Sequence, residues 1–185
     1  MLLRFGHIVG FILLGGGLLA VFISELRAYR TDDVRVFAEA AWYTATFYDS
    51  LAVPGSLLLG GSGLLLVWEL GLRWFDQPWF VGMWGLFLFE FIEGNTVTRV
   101  QFRRTLTRSR EAVRSGVLTD EARGEARTLL AQITHFLDVP LFLVIVYCGA
   151  VRPATWSAVG SAVAIALVSA ALLAAIVPRL GRRGI

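Results

Sequence analysis

The sequence predicts an all-α membrane protein, a bundle of about five transmembrane helices with a helical cytoplasmic hairpin extending from it. Three observations carry that expectation. Of the 185 residues, 56% are hydrophobic, and the mean hydropathy of +0.67 is too high for an ordinary soluble fold. Several apolar runs are about as long as the roughly 20 residues that cross a bilayer core as a helix. The basic residues, all 17 of them arginine, are confined to the segments that flank and connect those runs.

Residues 5–24 carry only His7 as an ionisable group, and residues 51–68 and 153–178 carry none. These are expected to form helices one, two and five. Residues 78–97 and 134–152 reach spanning length only if Glu90 and Glu93 in the first, and His135 and Asp138 in the second, lie within the span. They are expected to form helices three and four. The first run is about twice the length of a signal-peptide core and has no A-x-A cleavage pattern, so it is expected to stay as an anchor.

Between the runs, Thr31-Asp32-Asp33 is a suitable helix cap. Val34, Phe37, Ala38, Ala41, Ala45 and Tyr48 then succeed it at helical spacing. An amphipathic helix is expected here, lying on the membrane surface or leading into helix two. Ser115-Gly116 breaks the longer second connection, and Thr119 caps a helical stretch over 120–133. Residues 99–133 are thus expected to extend helices three and four as an arginine-studded hairpin, with Glu111, Glu121 and Glu125 beside Arg114 and Arg123 on a solvated face. The domain reading is a four-helix bundle over 1–153, an added helix over 154–178 and a tail over 179–185.

Arg4, Arg73 and Arg152 fall on one side of this topology and 14 arginines on the other. The positive-inside rule then places the chain in a bacterial inner membrane with its N-terminus outside and its C-terminus in the cytoplasm. Trp68, Trp74, Trp79 and Trp156 mark the predicted outer boundary. The basic balance, net +3, is accounted for by topology and anionic lipid rather than nucleic acid. Cys148 is the only cysteine and forms no intrachain disulfide. Gly6, Gly10, Gly15–Gly17, Gly55, Gly60, Gly61 and Gly63 are expected to let helices one and two approach closely. Pro54 is expected to start or kink helix two. Alanine at every fourth position in helix five, Ala154 through Ala174 and centred on Ala158, Ala162, Ala166 and Ala170, offers a small-residue stripe. It suits packing in the bundle, or against a second copy or another membrane protein.

Ionisable groups inside a bilayer cost a few kcal/mol each and usually pair, bind an ion or relay protons. Glu90 and Glu93 share one helix face, as do His135 and Asp138. Counted from the outer boundary, Glu90 matches Asp138 in depth and Glu93 matches His135, whereas counting back from the Gly116 turn offsets the two pairs by about six residues, or roughly 9 Å. Three carboxylates and an imidazole suit a divalent cation or a shared proton, and pairing with Arg99, Arg103 or Arg104 is the plainer alternative. His7 and Glu69 fall at matching depth near the outer side and are candidates for a hydrogen-bonded pair or two metal ligands. His7 and His135 are too far apart, on the order of 20 Å, to hold one haem between them. No P-loop, nucleophile elbow, zinc-protease or kinase motif is present, so soluble-type catalysis is not expected.

The opening LLRFGHIVGFILLGGGLLAVF, the segment LAVPGSLLLGGSGLLLVWELG and the close VYCGAVRP together resemble a family of uncharacterised small bacterial membrane proteins over roughly residues 1–153. That family looks related to the copper-resistance D proteins and to four-helix, haem-dependent protoporphyrinogen oxidases. The resemblance implies that His7 stands where those relatives carry a first-helix histidine able to hold haem. The oxidase-like relatives also use an intramembrane lysine, and this chain has none. Copper-transporting relatives supply several methionines and histidines, whereas this chain has two of each. The functional expectations are three: proton or metal-cation handling at the acid/histidine cluster, an accessory role in a larger membrane complex through helix five, or haem binding at His7.

Overall fold

A computed structural model describes the backbone of residues 1–119, 121–123 and 129–180, and the side chains of 1–119, 121–123 and 136–176. It is helical throughout, with no strand among the described residues. The helices are α1 (Leu2–Arg30), α2 (Val34–Phe47), α3 (Val53–Glu69), α4 (Pro78–Glu93), α5 (Arg99–Ser115), α6 (Leu129–Val151) and α7 (Trp156–Leu180). Two five-residue π-helical turns, Tyr48–Ala52 and Gly94–Thr98, join α2 to α3 and α4 to α5.

Local chemistry sets the boundaries. Helix α1 is apolar on every side and ends with Arg27 and Arg30 in its last turn, where cations complement the helix dipole. Asp33 caps α2, its carboxylate accepting from the backbone N–H groups of Arg35 at 2.7 Å and Val36 at 3.2 Å. Of the two placements open to the amphipathic segment, the structure has the one that leads into the next span. Helices α2 and α3 form one 36-residue rod, about 54 Å long at helical rise. Pro54 does not end it. Proline lacks the N–H and crowds the carbonyl four residues back, and the π turn just before it widens the helix to accommodate both.

At the far end, Gly71 (φ +62°) closes α3. Its N–H bonds to Trp68 at 3.2 Å and that of Leu72 to Val67 at 3.1 Å, the paired bonds of a Schellman cap. Gly116 (φ +73°) ends α5 similarly, and the Thr119 hydroxyl accepts from Ala122 N–H.

Among the described residues, three helices are long and apolar enough to cross a membrane by length and composition: Leu2–Arg30, Val34–Glu69 and Trp156–Ile176. The two polar-interrupted segments form α4 and the shorter apolar helix Phe136–Val151 within α6. Large apolar side chains such as Ile8, Ile12, Ile23, Leu57, Phe89, Ile92, Leu143, Ile165 and Val168 face outward, as lipid requires and water does not.

Helix α1 packs on α3, α4 on α6 and α6 on α7. A β-carbon on Gly10 would lie 2.5 Å from the backbone nitrogen of Leu59, one on Gly55 2.5 Å from that of Leu14, and one on Gly17 2.7 Å from that of Ala52. These glycines form the α1–α3 seam. Gly60 and Gly15 instead accommodate the rings of Phe87 and Phe142, and Gly16 and Gly61 have nothing within 4 Å. Leu14, Leu18 and Val21 join Ala45, Tyr48, Ala52, Leu59, Phe102 and Phe142 in the central core. The alanine stripe of α7 turns inward: Ala166 and Ala170 are buried, and Ala162 and Ala174 pack on the same clusters against α6. Of the two placements open to this stripe, the chain has packing within the bundle, with Ala158 half-buried at the edge of that packing.

At the arginine-rich end, α2 lies between α1 and α5. Arg27 meets Glu39 at 3.1 Å, Arg108 meets Glu121 at 2.9 Å, and Arg123 reaches Asp32 at 2.7 Å and the Thr31 carbonyl at 3.4 Å.

Candidate functional site

The centre of the bundle holds the polar groups that lipid cannot solvate. Glu90 of α4 and Asp138 of α6 line one small cavity of about 40 Å³, which has room for one or two waters. Tyr48, Ser56, Gly94 and Asn95 complete its polar wall, and Leu14, Leu18, Phe87, Phe142 and Ile145 its apolar one. Asp138 is 7% exposed.

Backbone irregularity converges on this level. Both π turns contribute lining residues, and Pro140, two residues past Asp138, cannot donate to the Phe136 carbonyl. Side chains of the second π turn bond back to the helix: Asn95 donates to the Phe91 carbonyl at 2.8 Å and Thr96 to that of Ile92 at 2.6 Å. The Thr98 hydroxyl, 1% exposed, donates to the Glu93 carboxylate at 2.9 Å. The Tyr48 hydroxyl sits directly against Gly94, where a β-carbon would collide with it.

Among the described residues, no arginine forms an ion pair with Glu90, Glu93 or Asp138. Arg99 and Arg103 both bind Asp49, at 2.7 and 3.2 Å, beside the first π turn. Sequence reasoning passes over Asp49. The one available signal is a lone carboxylate just ahead of a charge-free span, 50 residues from the arginine at position 99 that it holds. Arg99 and Asp49 are each 34% exposed, between a surface pair and a buried one. Asp49→Asn, which keeps the shape and removes the charge, is expected to lower stability by about 1–2 kcal/mol. Unfolding of the detergent-solubilised protein measures this, and a loss equal to that of Glu39→Gln, in the more exposed Arg27 pair, counts against it.

The remaining candidates separate. His7 does not meet Glu69. Its Nδ1 lies 3.1 Å from the Leu59 carbonyl and 3.2 Å from the Ser62 hydroxyl, and Glu69 is exposed at the end of α3, about two turns beyond. The side chain of His135 lies outside the described residues, as does the tail from 181 onward. Among the described residues, no group of three or more His, Cys, Asp or Glu side chains is placed to hold a metal.

His7 opens on a separate cleft of about 260 Å³ between α1, α3, α4 and α6, lined by Phe11, Met83, Trp84, Phe87, Phe142 and Gly149 among others. These residues do not fit a haem. None of the lining side chains is a cation to meet the two propionates, and the volume is below the roughly 300–1,000 Å³ of ordinary small-molecule sites.

Fold and site together define an all-α membrane bundle with acidic groups lining a cavity at its core. The chain belongs to the family described as predicted integral membrane protein (DUF2269), which it matches over residues 1–153. Comparison with curated proteins and with solved structures gave no match. Helix α7 falls beyond the matched span.

Proposed function

We propose that the protein takes up and passes protons within the membrane through Glu90 and Asp138. One observation carries this reading: the two carboxyls line the same small cavity, and no lysine or arginine shares its wall. An ionised carboxylate is expensive in lipid, and two of them in one low-dielectric cavity repel, so such a pair exchanges protons rather than holding a fixed charge. The Tyr48 and Asn95 side chains supply hydrogen-bonding partners along the way, and the cavity has room for water between them. Of the two cargoes that acids in lipid can handle, the proton is the one the described side chains serve, because a divalent cation needs more oxygen ligands than two carboxyls supply.

The 14-to-3 division of arginines supports a cytoplasmic placement of the α2–α5 end and an outside N-terminus in an inner membrane.

The test is proton flux in liposomes loaded with a pH-sensitive dye. Glu90→Gln and Asp138→Asn are each expected to reduce protein-dependent flux about tenfold or more, and the double variant little further, because the pair acts as a unit. Wild-type flux in both folded single variants rejects the reading.

A further inference from the structure

A further carboxyl faces the same core from the arginine-rich side. Glu25 of α1 is half-buried, two residues ahead of the exposed Arg27. Phe22 and Tyr29, three residues before it and four after, share its helix face, and both pack on Phe136 of α6 with ring centres 6.2 Å apart. Glu25 is thus turned toward α6 at Phe136, two residues from Asp138. Asp138 lies in the field of three carboxylates, those of Glu90, Glu93 and Glu25.

Glu25 also opens on a cavity of its own. It measures about 20 Å³, lies between α1, α2 and α5, and is lined by Glu25, Tyr29, Thr44, Phe102 and Thr105 among others; that is room for one water. This cavity neighbours the acid cavity along the α2–α3 rod, because Thr44 in its wall is one turn, roughly 6 Å, from Tyr48 in the other. On the α2–α5 side the rings of Tyr48 and Phe102, one in each wall, meet edge to face at 5.3 Å. On the α1 side, Leu18 in the acid-cavity wall is two turns, roughly 10 Å, from Glu25. The Cα–Cβ bond of Glu25 leans toward the helix N-terminus, which is the direction of Leu18 and the acid cavity.

Its place along the helix suits an entry point. The last turn of α1 carries Arg27 and Arg30, so the arginine-rich surface is within roughly 8 Å of Glu25 along the helix axis. Glu93 serves the role less well. It lines neither cavity, and the Thr98 hydroxyl holds its carboxylate at 2.9 Å.

We infer that Glu25 is the intake group of the proton path. Its carboxylate takes a proton from water at the arginine-rich surface and passes it, by way of water, to Asp138, returning to the carboxylate form. The inference rests on the proton reading of Glu90 and Asp138 and adds the residue that joins that pair to solvent.

The test uses the same dye-loaded liposomes, with wild-type protein and Glu90→Gln measured alongside. Glu25→Gln is expected to reduce protein-dependent flux about tenfold, and Glu25→Asp, which keeps an ionisable carboxyl, to retain most of it. Glu39→Gln, at the same end of the bundle in the exposed pair with Arg27, is expected to leave flux unchanged. Unfolding midpoints in detergent report whether each variant is folded. Thr105→Leu, which places bulk in the Glu25 cavity and leaves the carboxyl intact, is expected to reduce flux several-fold and stands in if Glu25→Gln does not fold. Wild-type flux in folded Glu25→Gln or Thr105→Leu, or equal losses in Glu25→Gln and Glu25→Asp, overturns the intake role while a loss in Glu90→Gln still upholds the core pair. Absence of flux from the wild-type protein overturns both.

Discussion

Gly10→Ala and Gly55→Ala are each expected to lower the stability of the bundle by about 1–3 kcal/mol, and valine at either position by more. The new methyl in each lies 2.5 Å from a backbone nitrogen of the facing helix. A side chain can rotate out of such a contact, but a helix backbone cannot. The α1–α3 seam must therefore open by roughly 1 Å, and close-packed neighbours along it lose contact. Gly16→Ala and Gly61→Ala are internal controls, because nothing stands within 4 Å of either position. They are expected to be neutral or to gain up to about 1 kcal/mol from helix propensity. Denaturation midpoints in mixed micelles read all four. The double substitution Gly10→Ala/Gly55→Ala is expected to cost less than the sum, since one methyl already separates the helices for the other. Equal midpoints for Gly10→Ala and Gly16→Ala contradict the seam.

Gly94→Ala is expected to cost about 1–3 kcal/mol for a different reason. Its β-carbon meets the Tyr48 hydroxyl, and Tyr48 is 6% exposed and held edge to face by Phe102 at 5.3 Å. The phenol ring has little room to retreat. Tyr48→Phe removes only the oxygen that collides, so the double variant Gly94→Ala/Tyr48→Phe is expected to recover most of the loss. A double-mutant cycle measures the coupling, and strict additivity contradicts direct contact between the two π turns. Both residues line the acid cavity, so Gly94→Ala is also expected to perturb proton flux while leaving Glu90 and Asp138 in place.

Much of the architecture is legible in the chain. Long charge-free runs announce α1, α3 and α7, Asp33 announces the start of α2, and the arginine connections announce which helix ends lie together. Other features leave no trace in local pattern. Because α1 is apolar on every side, periodicity cannot say which of Gly10, Gly16 and Gly17 faces a neighbour; only the approach of α3 separates them. A π turn inserts one residue into an apolar helix without interrupting it, so Tyr48–Ala52 and Gly94–Thr98 are invisible beforehand, although Asn95, Thr96 and Thr98 form an unusually polar stretch for such a span. For the candidate site, counting depth from the outer boundary puts Glu90 level with Asp138, and the two line one cavity. The same counting puts Glu69 beside His7, where it does not lie, because depth says nothing of which way a side chain turns. Asp49 escapes such counting, since its partners come from a distant segment of the chain.

The unbroken α2–α3 rod has a mechanical meaning. Its 36 residues make a lever of about 54 Å, held toward one end by Arg27–Glu39 and toward the other by the glycine seam, with Tyr48 and Asp49 between them. A tilt of only about 5° about that point swings each tip by roughly 2 Å at this length. Any force applied to the arginine-bearing end is thereby delivered to the wall of the acid cavity without crossing a loop that would absorb it.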